Sequence, residues 1–230
     1  FERFHFVGGE HLQESIAAGK GALLASMHSR NSDPPTIGMM SLHLKHYFYY
    51  AASFHLFLKS RFEAFQMIRL GAYSVLREGT DLEAIRQSVD ILSTADRPLV
   101  IFPEGTFYRR NEQLGPLQDG VAFIARQAAK KKQQPVVVHP LITRYWFLED
   151  PRPAIEQRLH TLESGLLWAR QDGSPAERVL RLTDAYLSIK EIEYLGAART
   201  ESLSERMQSL AEHLLLRLET RSEEHTSELQ

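Results

Sequence analysis

The chain has 230 residues, of which 43% are hydrophobic and 24% charged, and its formal net charge is −2. This length allows one domain with a full core plus a helical extension, and the charge disfavours nucleic acid as a partner. Because the sequence has no cysteine, disulfide frameworks and thiolate metal sites are excluded.

Apolar runs and helical spacing alternate over the first 150 residues. In chain order, the pattern predicts a strand at Phe4–Val7, a helix at His11–Ala18, a strand at Ala22–Met27, a helix that Asp33 caps ahead of Pro34, and a strand at His46–Ala52. Next come a helix at Leu56–Leu70, a strand at Tyr73–Leu76, a helix after the capping box Thr80–Glu83, and a strand at Leu99–Phe102. The last two are a helix at Gly120–Lys130 and a strand at Val136–Ile142. This alternation indicates an α/β fold with a mostly parallel central sheet and helices on both faces.

From about Pro151 the strand pattern stops. Three helices are predicted there, at Pro153–Arg170, Pro175–Tyr194 and Glu201–Leu218. We expect residues 1–150 to form the α/β core and residues 151–220 to be a helical C-terminal extension of the same domain. No internal repeat is expected.

Both ends of the chain carry signs of an artificial boundary. The chain starts at Phe1, and residues 221–230 (RSEEHTSELQ) resemble one reading frame of a sequencing-library adapter. We therefore expect a gene fragment cut at both ends, with a non-native disordered tail at residues 221–230. No stretch approaches about 18 consecutive apolar residues, so no transmembrane segment or signal peptide is predicted in this fragment.

Two short motifs follow predicted buried strands, where α/β folds place their chemistry. The first, residues 28–33 (HSRNSD), sets His28 and Asp33 five positions apart, and the second, residues 102–106, reads FPEGT. Histidine suits general-base chemistry near neutral pH, and a carboxylate on its other ring nitrogen fixes the tautomer. Alone, the first motif fits better a capping aspartate beside a strand-end histidine. The two motifs together favour a catalytic pair.

Four motifs in this order resemble the glycerolipid acyltransferase family, the PlsC-like group that includes the 1-acylglycerol-3-phosphate O-acyltransferases. They are H-x4-D at residues 28–33, G-x3-V-x-R at Gly71–Arg77, F-P-E-G-T at residues 102–106, and an apolar strand with proline at Val136–Ile142. The resemblance covers roughly residues 5–147. It implies an O-acyltransferase with His28 as catalytic base and Asp33 as its orienting acid. A fatty acyl chain would move from acyl-CoA or acyl-carrier protein to a lysophospholipid hydroxyl, with lysophosphatidate as the favoured acceptor.

The resemblance also implies substrate-binding residues. It links Arg77 to the acceptor phosphate, although a surface ion pair with Glu78 or Asp81 remains an alternative reading of that arginine. Glu104, Gly105 and Thr106 are implied as a further substrate-binding loop.

In that loop, glycine allows close backbone approach and successive amides can form an anion nest. The family usually has an arginine directly after the threonine, where this chain has Phe107. We expect Arg109 or Arg110 to substitute for it, or the acceptor to differ.

Several alternatives stay open at this stage. The same chemistry on glycerol 3-phosphate or an ornithine lipid is one, and a catalytically silent, lipid-binding relative is another. The aromatic residues between Tyr47 and Phe57 fit core packing and a functional role, as an acyl-chain tunnel or an interfacial face, equally well. Lys130, Lys131 and Lys132 fit either a helix C-terminus or contact with anionic lipid.

The partners and location follow from the same reading. We expect no metal, because the histidines lack paired ligand spacing, and no cofactor beyond the acyl donor as co-substrate. The expected location is the cytoplasmic face of a membrane, as a peripheral protein.

Overall fold

The first part of the chain folds around a parallel sheet in a computed structural model. The structure describes residues 3–76, 79, 81–132 and 135–227, without the side chains of residues 132 and 220–227. The elements of this part are α1 (Gly9–Ala17), β1 (Gly21–Ser26), α2 (Asp33–Leu44), β2 (Tyr49–Ser53), a 3₁₀ helix (Phe54–Leu58), α3 (Arg61–Arg69), β3 (Ala72–Val75), α4 (Leu82–Thr94), β4 (Leu99–Ile101), α5 (Gly120–Lys132) and β5 (Val136–Leu141). The strand order is β3-β2-β4-β1-β5, and each pairing is parallel. The predicted α/β class is confirmed.

Side chains of β1 alternate between two apolar layers, as the pleat of a strand requires. Leu24 packs with Ile37 and Met40 of α2 on one face. Leu23 packs with Leu92 of α4 and with residues of α5 on the other face. Helices therefore cover both faces of the sheet. Strand β1 lies between β4 and β5, so its carboxyl end is flanked by the carboxyl ends of these two strands.

Three local predictions fail for identifiable reasons. Residues 4–7 form no strand, because Phe6 packs against the α1/α2 layer and stacks on His43 instead of joining the sheet. The predicted helix Leu56–Leu70 is divided in two, since Ser60 caps α3 by accepting a hydrogen bond from the Glu63 amide. The cap of α4 is Asp81, whose side chain accepts from the Ala84 amide; the predicted capping residue Thr80 lies outside the described residues.

The second part of the chain is helical. It contains α6 (Arg152–Gly165), α7 (Pro175–Leu195) and α8 (Leu203–Ser227), so the three predicted helices are confirmed. The chain divides into compact units at Trp146 and Phe147, close to the boundary predicted near residue 150. Helix α8 runs through much of the segment expected to be a disordered tail, and the non-native origin of that segment stays a prediction.

The expectation that the sequence holds no internal repeat is wrong. In the helical unit, the same set of side-chain hydrogen bonds recurs after 28 positions, as between Arg178–Glu163 and Arg206–Glu191.

Candidate active site

His28 and Asp33 meet at the carboxyl end of β1. His28 lies two residues beyond the end of β1, and Asp33 is the first residue of α2. The His28 Nδ1 atom is 2.9 Å from Asp33 Oδ2. The two residues predicted as a catalytic pair are therefore within hydrogen-bonding distance.

The Asp33 carboxylate is fully buried and accepts from three donors. Besides the His28 contact, the Arg30 backbone N–H donates to Oδ2 at 2.8 Å and the Tyr145 hydroxyl donates to Oδ1 at 2.6 Å. Burial acts to raise the pKa of Asp33, but the bonds from His28, the Arg30 amide and Tyr145 outweigh it and lower the pKa below its ordinary value. Asp33 is therefore ionised at neutral pH.

Asp33 does not cap α2, contrary to the sequence-based expectation. The residue at the cap position is Ser32, and no side chain caps the helix there. Both Asp33 oxygens are directed to the His28, Arg30 and Tyr145 donors, so neither is left for the helix amides. The preference of aspartate for helix starts is overridden here by tertiary hydrogen bonds.

The contact with Asp33 fixes the chemistry of the His28 ring. An ionised carboxylate only accepts, so the proton lies on Nδ1 and the basic lone pair is on Nε2. The ring stacks on Phe102, with centroids 4.2 Å apart, and meets the edge of Phe107 at 5.7 Å. The side chain of His28 is 12% exposed, so one side of an oriented ring remains reachable.

Glu104 holds the backbone around His28. This buried side chain accepts from the His28 backbone N–H through Oε1 at 2.7 Å and from the Gly115 N–H through Oε2 at 2.8 Å. A Cβ at position 115 would lie 2.6 Å from that second oxygen, so the clamp needs glycine there. Glu104 was predicted to bind substrate; both its oxygens are occupied by backbone amides, which is the geometry of a positioning residue.

Gly105 and Thr106 form the turn after this glutamate. Gly105 has a φ of +69°, which favours glycine, and its amide donates to the Phe102 carbonyl at 3.0 Å. That amide is engaged within the turn and is not open to an anion. The Thr106 side chain is exposed.

Sequence reasoning missed Tyr145. This residue follows β5, and Asn111 holds its backbone on both sides: the amide side chain donates to the Tyr145 carbonyl at 2.8 Å and accepts from the Tyr145 N–H at 2.9 Å. The Arg30 guanidinium lies 4.9 Å from the centroid of the tyrosine ring. The loop after β4 therefore orients Tyr145, which in turn orients Asp33.

The predicted phosphate-binding arginines differ in their placement. Arg77 lies outside the described residues, and β3, which ends at Val75, is three strand positions from β1, about 14 Å along the sheet edge. The exposed Arg109 has its guanidinium 5.7 Å from the Phe107 ring centroid, and that ring contacts His28. Arg110, also exposed, lies over Tyr108 at 6.0 Å. Of the two, Arg109 is adjacent to a residue that touches His28.

The described residues hold neither a cluster of side chains suited to a metal ion nor a helix able to cross a membrane. No group of three or more His, Asp or Glu side chains among them is arranged to hold a metal ion. Among their helices, none combines the length and the apolar character needed to cross a bilayer.

Comparison with known proteins identifies the family of this chain. The family model described as Acyltransferase matches residues 4–144, more than half of the 230 residues. This stretch contains the five strands that the structure describes, the His28–Asp33 pair and the loop at residues 102–106. No curated protein and no solved structure matches the chain significantly. By the extent of the family match, this chain belongs to the Acyltransferase family.

Proposed function

We propose that this chain moves a fatty acyl group from acyl-CoA or acyl-carrier protein to the hydroxyl of a lysophospholipid, with lysophosphatidate as the favoured acceptor. Membership of the Acyltransferase family supports acyl transfer in general. The observation that carries the proposal is the 2.9 Å contact between His28 and a buried, ionised Asp33. The other motifs of the resemblance support the glycerolipid acceptor.

The chemistry needs a base and no protein nucleophile. His28 Nε2 takes the proton of the acceptor hydroxyl as its oxygen attacks the thioester carbonyl carbon. The tetrahedral intermediate then collapses, the carbon–sulfur bond breaks, and the sulfur leaves as a thiol with the proton from Nε2. Asp33 stabilises the imidazolium that exists between these steps, because its negative charge lies on the other ring nitrogen.

A panel of acceptors tests the proposal. Purified chain with labelled acyl-CoA should acylate lysophosphatidate faster than glycerol 3-phosphate or an ornithine-lipid precursor. If the chain preferred a neutral acceptor, that acceptor would replace lysophosphatidate in the proposal. If no hydroxyl were acylated, the catalytically silent, lipid-binding alternative would be favoured.

Arginines are proposed to bind the acceptor phosphate. Charge-assisted bonds contribute about 1.5 to 3 kcal/mol, so Arg77→Ala or Arg109→Ala should raise the KM for lysophosphatidate about tenfold to a hundredfold. The KM for the acyl donor should change little. Arg86→Ala, an exposed arginine on α4, is the matched control. If Arg110→Ala raised this KM and Arg109→Ala did not, Arg110 would be the residue that replaces the arginine absent at Phe107.

An exposed apolar segment supports the proposed peripheral membrane location. Five large side chains of the 3₁₀ helix, α3 and its end are more than half exposed: Leu58, Phe62, Phe65, Ile68 and Leu70. Lys59, Arg61 and Arg69 lie between them, the composition of a segment that enters a lipid interface. Lys131, by contrast, forms an ion pair with Asp90 of α4, so this member of the lysine run is engaged within the protein.

Replacing Phe62, Phe65 and Ile68 together by serine should weaken binding to anionic liposomes at least tenfold. Each apolar side chain buried in the interface contributes about 1.5 to 3 kcal/mol, so even partial insertion is measurable by sedimentation. Leu82→Ser on α4, an equally exposed leucine, should leave liposome binding unchanged. Equal binding of the triple variant and the parent chain would contradict this role for α3.

A further inference from the structure

Helices α6 and α7 are joined by a buried ion pair. Arg178 of α7 donates through Nε to Glu163 Oε1 at 2.7 Å and through its Nη2 to Oε2 at 2.9 Å. Both side chains are at most 2% exposed, and Glu156 accepts from the third guanidinium nitrogen. The bonds from Arg178 hold the pKa of Glu163 below its ordinary value.

Helices α7 and α8 are joined in the same way. Arg206 of α8 donates through Nε to Glu191 Oε1 at 3.0 Å and through Nη2 to Oε2 at 2.8 Å, and its remaining nitrogen bonds Asp184. These three residues stand 28 positions after Arg178, Glu163 and Glu156, in the same roles. The bonds from Arg206 lower the pKa of Glu191.

The helix starts and the apolar contacts repeat with the same spacing. Ser174 and Glu177 exchange capping bonds at the start of α7, as Ser202 and Glu205 do at the start of α8. Two pairs of buried leucines are also 28 positions apart: Leu159 with Leu187, and Leu182 with Leu210. The helical unit is therefore a repeat, in which each helix presents two carboxylates and a leucine to the arginine-bearing start of the next helix.

Helix α8 carries the acceptor half of this repeat a third time. Glu212, Leu215 and Glu219 stand 28 positions after Asp184, Leu187 and Glu191. Leu187 is 8% exposed under α8, whereas Leu215 is 59% exposed. Glu212 and Glu219 are exposed as well.

We infer that the face of α8 formed by Glu212, Leu215 and Glu219 binds a further helix of the same type. The partner helix begins with a capping serine, has a glutamate three positions later, and carries an arginine directly after that glutamate. The partner helix needs this arginine, because an apolar helix that covered Glu212 and Glu219 would bury their negative charges without a partner. A second copy of this chain does not supply it from α7 or α8, since Arg178 and Arg206 are already bound to their own glutamates.

In helical repeats each unit buries the open face of its neighbour. Leu215 together with Leu218, which is 65% exposed, gives α8 an apolar outer face of the kind that such stacking covers.

A labelled peptide of residues 171–191 tests the inference on the full chain. This peptide contains the complete start of α7, with Ser174, Glu177 and Arg178. We expect saturable binding by fluorescence anisotropy, with amide-exchange protection gained at residues 208–219 of the chain. The peptide change Arg178→Met and the chain variant Glu219→Gln should each weaken binding at least tenfold, whereas Glu149→Gln, an exposed glutamate of the same unit, should have no effect.

A covalent version covers the case in which the free peptide is too weakly helical to bind. A second copy of residues 192–219 is placed directly after Glu219, which keeps the 28-residue spacing. The added copy should become helical by circular dichroism and raise the melting temperature of the helical unit, and Arg206→Met within the added copy should abolish both gains. The inference is overturned if neither peptide nor added copy docks, or if either docks regardless of its arginine.

Discussion

His28→Ala is expected to lower kcat by two to four orders of magnitude while the chain remains folded. The substitution removes the only ring nitrogen that the Asp33 contact leaves basic, and general-base assistance contributes about that factor. The KM values should change little, because the proposed phosphate contacts come from arginines elsewhere. The measurement is steady-state transfer of a labelled acyl group to lysophosphatidate, with circular dichroism and thermal melting to verify the fold.

His46→Ala is the matched control for this variant. His46 is exposed and precedes β2, at the opposite edge of the sheet from His28, so its loss should not alter turnover. Near-normal activity in a well-folded His28→Ala chain would sink the proposed mechanism and leave a lipid-binding relative as the better reading.

The fold was predictable because its signals are local. Runs such as Ala22–Ala25 and Leu99–Ile101 are buried on both faces of a parallel sheet, so they appear in the sequence as continuous apolar segments. His28 and Asp33 were predictable for a similar reason: they are close in sequence, and their residue types suit the chemistry. The pairing of β1 with β4 then brings the loop at residues 102–106 to the same place.

The features that escaped prediction depend on tertiary contacts. Tyr145 lies 112 positions from Asp33, and a tyrosine after a strand carries no local signal of its role. The substrate contact of Glu104 stays a prediction, whereas its two backbone partners, His28 and Gly115, are visible only in the fold. The exposure of α3 could not be predicted, because Phe62 and Phe65 have the spacing that is typical of a helix facing the core.

The 28-residue repeat escaped for a different reason. The positions that recur are those of the ion pairs, the helix caps and the packed leucines, such as Glu163 with Glu191 and Arg178 with Arg206, while most positions between them differ. Overall identity between the copies is therefore low, and the repeat is recognisable as a pattern of hydrogen bonds before it is recognisable as a pattern of letters.

Asp33→Asn is expected to lower kcat about tenfold to a hundredfold, less than His28→Ala does. An asparagine has a single acceptor oxygen for the three donors that Asp33 now satisfies. The favourable orientation keeps that oxygen on His28 and the Arg30 amide and turns its NH₂ group toward Tyr145, whose hydroxyl oxygen can accept. The geometry then survives, but the negative charge that stabilises the imidazolium is lost, which corresponds to the roughly 1.5 to 3 kcal/mol of a charged hydrogen bond.

Tyr145→Phe separates this electrostatic role from a structural one. Removing the hydroxyl leaves the Asp33 charge in place but deletes one of its three donors, so Tyr145→Phe alone should reduce kcat less than Asp33→Asn. In the double variant the two effects should be less than additive, because Tyr145 is proposed to act through Asp33. The test is the split between kcat and KM for all three variants. If Asp33→Asn raised KM and left kcat unchanged, the role of Asp33 would be to position the loop, and it would not stabilise the positive charge on His28. The proposed proton transfer would then need another stabilising group.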